Sequence, residues 1–277
     1  MVDLLGAVDV RELASRLDVT PTKKLGQNFV TDPNTIRRIV SAAKLGGQET
    51  VVEIGPGLGS LTLGLLEVAE KVIAVEIDPK MTAELESTIA KRAPGKNFTL
   101  VRDDALKVFD LPAAPDALVA NLPYNISVPV LLHFLEQFPS IQTGLVLVQA
   151  EVAHRLAAEP GSKIYGIPSV KLAWYAESAL AGNVGRNIFW PVPNVDSALV
   201  YFSKRAVPLG DEQLRLKTFE VADAAFGQRR KTLRQALSNW AGSAAEAERI
   251  LTAAGISPQA RGEELDVHQF VAIARAR

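Results

Sequence analysis

The sequence predicts an α/β protein, a mostly parallel sheet with helices on both faces, followed by a small all-helical domain. Three observations predict it. Short apolar runs at 50–54, 71–77, 97–101, 116–119 and 143–148 alternate with stretches of helical periodicity, which is the pattern of a parallel sheet. A glycine-rich turn, Gly55-Pro56-Gly57-Leu58-Gly59, follows the first run and opens a helix. Beyond Gly210 the strand-like runs stop and helical spacing continues to the end of the chain.

Composition bounds the rest. The 277 residues suffice for one large domain with a sizeable core plus a smaller one. At 48% hydrophobic and 22% charged, the chain has the make-up of an ordinary soluble globular protein. Cysteine is absent, which excludes a disulfide, a thiolate metal site and a cysteine nucleophile, and fits a reducing compartment. His133, His154 and His268 are scattered without ligand spacing and read as surface or packing residues, so no metal is expected. No apolar run approaches the roughly 20 residues of a membrane span. The first five residues lack the basic region and cleavage site of a signal peptide, so the expected location is cytoplasmic. The net charge of −1 argues against a uniformly basic nucleic-acid binder. Local asymmetry exists all the same: residues 224–245 contain no acid but include Arg229, Arg230, Lys231 and Arg234.

In chain order, 10–17 has the pattern of a short amphipathic helix ended by Thr20-Pro21. Lys23-Lys24-Leu25-Gly26-Gln27-Asn28-Phe29-Val30 makes a poor helix and a good ligand-facing loop, in which two lysines beside an aromatic suit phosphate and base; a solvated loop with one buried Phe fits equally. Asp32-Pro33 starts a helix carrying Ile36, Ile39, Val40 and Ala43. Strand 50–54 runs through the glycine turn into a helix bearing Leu61, Leu63, Leu65 and Leu66. The second strand ends at Glu76, nineteen residues after Gly57, where an acid accepts hydrogen bonds from a ribose diol; Asp78 before Pro79 reads as a helix cap. Strand three ends in Arg102-Asp103-Asp104-Ala105, and strand four delivers Ala120-Asn121-Leu122-Pro123-Tyr124-Asn125 to the sheet rim, where ligands of open α/β sheets bind.

Residues 127–138 form the next helix, with Val130, Leu131, Phe134 and Leu135 as its buried stripe, and 143–148 the fifth strand. A helix at 151–158 precedes a turn-rich loop at 159–163, expected to be mobile. Alternating stretches near 177–184 and 197–202 complete the sheet. Between them, Phe189-Trp190-Pro191-Val192-Pro193-Asn194-Val195-Asp196-Ser197 is held extended by its prolines; its aromatics suit core or lid packing, or the flank of a base. A boundary falls at 206–210, giving domains 1–205, with 1–30 partly mobile, and 211–277.

Asn121-Leu122-Pro123-Tyr124 resembles the loop of methyltransferases that modify the exocyclic amine of adenine. The glycine spacing is Gly-x-Gly-x-Gly, not that of dinucleotide binders. With Gly26-Gln27-Asn28-Phe29, the Phe189–Ser197 motif continuing into Ala198, and Arg229-Arg230-Lys231-Thr232-Leu233 also in order, the chain resembles the ribosomal RNA adenine dimethyltransferases, most closely the branch acting on 16S RNA of the small subunit. The resemblance covers about residues 25–236 and implies a Rossmann-like sheet that binds S-adenosylmethionine through Asn28, Val30, Gly55, Gly57, Glu76, Asp104 and Asn121. Glu53 also suits that cofactor's cationic methionine end. Asp103 stands where the family usually has glycine, so Asp103 and Asp104 compete for the adenine-binding place; Asp104 is chosen because it precedes Ala105-Leu106.

The resemblance further implies catalysis by Asn121 and Leu122 on the Pro123-containing loop, Tyr124 stacked on the target base and Phe189 on its other face. Lys23, Lys24, Arg229, Arg230, Lys231 and Arg234 would meet RNA, and the expected partner of this monomer is the small subunit with its 16S RNA, in ribosome biogenesis. Rival readings are a large-subunit resistance methylase, a non-catalytic assembly factor and a nicotinamide oxidoreductase; the glycine spacing counts against the last.

Overall fold

The structure, a computed structural model, describes residues 2–18 and 28–277. It divides into two compact units, Met1–Ala153 with Ala179–Lys204, and His154–Ser178 with Arg205–Arg277. The single cut expected at 206–210 is therefore one of three crossings: 154–178, assigned from sequence to the first domain, groups with the C-terminal helices.

The first unit opens with α1 (Ala7–Arg16), β1 (Phe29–Val30), α2 (Pro33–Ala42), β2 (Thr50–Ile54), α3 (Ser60–Val68), β3 (Lys71–Glu76), α4 (Pro79–Arg92) and β4 (Phe98–Arg102). It continues with β5 (Ala117–Asn121), α5 (Ser127–Gln137), β6 (Thr143–Gln149) and α6 (Ala150–Leu156), whose last residues enter the second unit. After α7 (Ile167–Tyr175) come β7 (Ala176–Val184), β8 (Phe189–Trp190) and β9 (Ser197–Lys204). Seven strands form one sheet in the order β4-β3-β2-β5-β6-β9-β7, with β9 antiparallel to β6. β2 lies between β3 and β5, parallel to both, so the chain winds outward in opposite directions from the β2–β5 pair. That pair is the topological switch point, and the loops leaving its carboxyl ends bound a crevice.

Local chemistry explains the elements. Val51, Val52, Glu53 and Ile54 are all buried, as a central strand covered on both faces requires. The Asp32 carboxylate accepts the Thr35 N–H at 2.8 Å and starts α2; Asp78 accepts from Lys80 at 2.9 Å and starts α4, the role its place before Pro79 predicts. Leu63 and Leu65 are fully buried between helix and sheet, where Leu→Ala costs about 2–5 kcal/mol. Residues 2–18, expected to be part of a mobile segment, are packed. Val2, Leu4, Leu5, Val10 and Ala14 are buried, and the Arg92 guanidinium bonds Asp3 at 2.7 Å and Asp9 at 2.6 Å.

The second unit contains α7, α8 (Glu212–Gly227), α9 (Leu233–Ala236), α10 (Ser238–Ala241), α11 (Ala244–Ala253) and α12 (Val267–Arg275). Its core gathers Val221, Leu233, Leu237, Leu251 and Phe270. Side-chain caps start the helices: Asp211 accepts from Leu214, Ser243 from Glu246, and Asp266 with Gln269 forms a reciprocal box. The sequence reading missed α7, because Ile167-Pro168-Ser169-Val170-Lys171-Leu172-Ala173-Trp174-Tyr175 is apolar on nearly all sides and shows no stripe. Among the described residues no helix is long and apolar enough to cross a membrane.

Candidate active site

A cleft lined by the glycine turn and by the loop after β5 opens at the carboxyl ends of β2 and β5. The glycine turn forms its floor. Gly55, Gly57 and Gly59 all have positive φ, a region that penalises any Cβ. At Gly57 the space is also filled: a Cβ would lie 2.7 Å from Cε1 of Phe29.

Glu76 stands at the end of β3, 6% exposed. One carboxylate oxygen accepts the Gly57 N–H at 3.2 Å, and the other accepts those of Ile77 and Asp78, each at 3.0 Å. Burial raises its pKa, against the lowering effect of those three bonds. Three fixed donors leave the remaining lone pairs aimed by the backbone, the arrangement a ribose diol needs. Glu53 is 1% exposed in the same wall, and its Oε2 has no hydrogen-bond partner. Burial, with the charge of Glu76 adding to it, pushes the Glu53 carboxyl up to about 8. The buried Ser60 hydroxyl beside it is also unpartnered. Two orphaned oxygen atoms in a cleft wall mark a place for a ligand with donors of its own.

The opposite wall is the loop after β5. The Leu122 N–H donates to the Leu147 carbonyl at 3.0 Å, which fixes the backbone beside Asn121. The Asn121 side-chain nitrogen donates to the Asn28 carbonyl at 2.9 Å, so its carboxamide oxygen is the end left to face a substrate. Tyr124 is half-buried, and its hydroxyl lies 2.7 Å from the Ser197 hydroxyl. Burial raises the Tyr124 pKa, and the Ser197 bond opposes the rise.

Of the residues expected to bind cofactor, Asn28, Val30, Gly55, Gly57, Glu76 and Asn121 line the cleft, as do the catalytic candidates Leu122, Pro123 and Tyr124. Asp104 does not. Its carboxylate caps the short 3₁₀ helix Ala105–Lys107 by accepting the Leu106 N–H at 3.0 Å, while Asp103 accepts the Asp104 N–H at 2.7 Å. Phe189 is 2% exposed, lies in the core, and pairs through its backbone with Val30 on the two-stranded β1–β8 ribbon, the core packing that its segment also suited from sequence.

Lys23 and Lys24 lie outside the described residues. In the second unit Arg229 is held within the fold. Its guanidinium bonds Glu263 at 2.9 Å and the carbonyls of Tyr165 at 2.8 Å and Lys163 at 2.6 Å. Arg234 pairs with Glu248 at 2.6 Å, whereas Arg230 and Lys231 are exposed. The same bonds tie down the loop expected to be mobile at 159–163.

Sequence reasoning missed Ile77, which is 58% exposed and lines the cleft. A large apolar side chain right after a rim acid was the available signal.

Sheet order, glycine turn, rim acid and amide together define a methyltransferase dependent on S-adenosylmethionine, and the cleft fits that cofactor through Glu53, Ser60, Gly57 and Glu76. Comparison narrows the class. The family model "Ribosomal RNA adenine dimethylase" matches residues 20–276, and the chain belongs to that family. It is 60% identical over 99% of its length, and 94% of the relative's, to "Ribosomal RNA small subunit methyltransferase A" of Paenarthrobacter aurescens. Among solved structures, a dimethyladenosine transferase from Plasmodium falciparum superposes with a TM-score of 0.76 at 25% identity, covering 88% of this chain and 95% of that one. The 23S rRNA methyltransferase ErmE superposes at 0.66 with 26% identity, covering 90% and 98%.

Proposed function

We propose that this enzyme dimethylates the exocyclic amines of adjacent adenines in 16S RNA of the small ribosomal subunit, as a step of subunit biogenesis in the cytoplasm. The observation that carries the reading is the Asn121 amide, which lines the cleft and whose nitrogen is engaged by the Asn28 carbonyl, so that its oxygen is the end left to accept from a substrate. The small-subunit assignment rests on the 60% identical relatives that carry that name, against 26% identity to the 23S rRNA methyltransferase ErmE.

Bound S-adenosylmethionine supplies a methyl carbon activated by its sulfonium. The adenine amine is a poor nucleophile because its lone pair is delocalised into the ring. Asn121 Oδ1 and the Leu122 carbonyl accept its two protons, turn the lone pair toward the methyl carbon and stabilise the positive charge that develops on nitrogen. The cofactor would give up its methyl group to that nitrogen and leave as the neutral thioether, and the amine proton would pass to water. Tyr124 stacks on the base once it leaves its helix. Glu76 would hold the ribose diol, Glu53 would meet the ammonium of the methionine end, Asn28 and Val30 would line the cofactor's place, and Asp104, one strand out, would accept from the adenine amine. Arg230 and Lys231 meet RNA phosphates, and Lys23 and Lys24 stand for the same task.

The test is methyl transfer from labelled S-adenosylmethionine to undermethylated small subunits, with large subunits and free RNA as controls, followed by nucleoside analysis. Dimethyladenosine confined to the small subunit is expected; label only in large-subunit RNA would move the enzyme to the other branch.

A further inference from the structure

Three loops meet at the mouth of the cleft and are tied in a closed ring. Asn121 bonds the Asn28 carbonyl at 2.9 Å; Thr31, two residues past β1's first pair, bonds the Ile188 carbonyl through its N–H at 2.8 Å and its hydroxyl at 2.9 Å; and Tyr124 meets Ser197 at 2.7 Å. The third link joins residues 73 apart in sequence.

The two ends of that link differ in rigidity. Tyr124 sits on the turn between β5 and α5. Ser197 is the first residue of β9, has no exposed surface, and pairs in register with Gln149 of β6. The residue before it is pinned twice: the Asp196 carbonyl accepts the Ala150 N–H at 2.9 Å, and its carboxylate accepts the Arg186 N–H at 3.1 Å. A tyrosine held only at its Cβ pivots about two torsions. One held at its para-oxygen as well has its long axis fixed, which sets where the ring lies and how deep it reaches.

We propose that Ser197 is a positioning residue for methyl transfer, holding the long axis of the Tyr124 ring at the place and depth where the target base stacks. This rests on the reading of Tyr124 above. A base displaced by about 1 Å from a productive approach loses on the order of 10²-fold in rate, so a tether on the stacking ring is expected to act on turnover. Ser197 is fully buried and not part of the cleft lining, so it acts only through Tyr124.

The experiment compares wild type, Ser197→Ala, Tyr124→Phe and the double variant, each folded by circular dichroism, for kcat on undermethylated small subunits and for S-adenosylmethionine affinity by calorimetry. Tyr124→Phe keeps the ring and removes only the hydroxyl, so it tests the link without a change inside β9. The expected result is a roughly tenfold or greater fall in kcat in each single variant, cofactor affinity within about twofold, and a double variant no worse than either single. Turnover within about twofold of wild type in either single variant, or multiplicative losses in the double, would overturn the proposal. A fall in melting temperature with kcat unchanged would show a merely structural serine and overturn it too. Wild type that binds cofactor but transfers no methyl would instead overturn the functional reading, and this inference with it.

Discussion

The carboxamide nitrogen of Asn121 donates to the main-chain carbonyl of Asn28, 93 residues earlier in the chain, at 2.9 Å. A primary amide has one end that donates and one that accepts, so satisfying the nitrogen internally assigns the oxygen to the substrate. The segment around Asn28 thereby sets the polarity of the Asn121 amide.

Gly57→Ala is expected to damage cofactor binding and stability together. The new Cβ meets Phe29 at 2.7 Å on a backbone with φ of +56°. Left-handed strain alone costs about 1–2 kcal/mol, and each 1 kcal/mol lowers the melting temperature by about 2–4 °C in a chain of this size. Thermal melting and calorimetry should show that fall together with a loss of affinity of roughly tenfold or more. Unchanged affinity would mean that the turn does not approach the cofactor.

The buried Glu53 gives a pH signature. Its carboxyl, ordinarily near 4.5, is pushed up to about 8 in the fold, chiefly by burial. Between those values the folded chain holds a proton that the unfolded chain has lost. The stabilisation is therefore complete below about pH 4.5 and is lost as pH rises through about 8. Without cofactor, melting temperature should fall more steeply from pH 5 to 9 in wild type than in Glu53→Gln. Equal slopes would place the ionised carboxylate in the empty site.

In the helical unit the basic run should separate by function. Arg229→Ala removes the bonds to Glu263, Tyr165 and Lys163, and is expected to lower the melting temperature and to speed proteolysis at 159–165. Arg230→Ala with Lys231→Ala should leave melting unchanged, weaken binding to small-subunit RNA, and reduce the salt slope by about 2. Filter binding across a salt series reads both. An unchanged slope in the double variant would remove these two from the RNA contact.

How far the sequence carried depended on whether the signal was local. The glycine turn, Glu76 and the Asn121 loop were legible because each places its chemistry at the end of one strand. Asp78 was legible as a cap from Pro79 alone. For Phe189 the residues alone already suited core packing, and the two-residue β1–β8 ribbon, which joins segments far apart in the chain, is what holds it there. Arg229 was read as one of a charged run, and only the fold brings Glu263 and the 162–165 carbonyls to it. The α7 helix lacked a stripe, and the compact unit it joins is discontinuous in sequence, which no boundary signal at 206–210 could reveal.

The central claim, that the Asn121 oxygen receives the adenine amine, is tested most directly by Asn121→Asp. The substitution keeps size and an oxygen toward the substrate, but it sets a carboxylate oxygen against the Asn28 carbonyl, undoing the latch that orients the group. Turnover on undermethylated small subunits and cofactor affinity would be measured on the same folded preparation. The account predicts a fall in kcat of about 10²–10³-fold or more, with S-adenosylmethionine still bound. Near-normal turnover would contradict it.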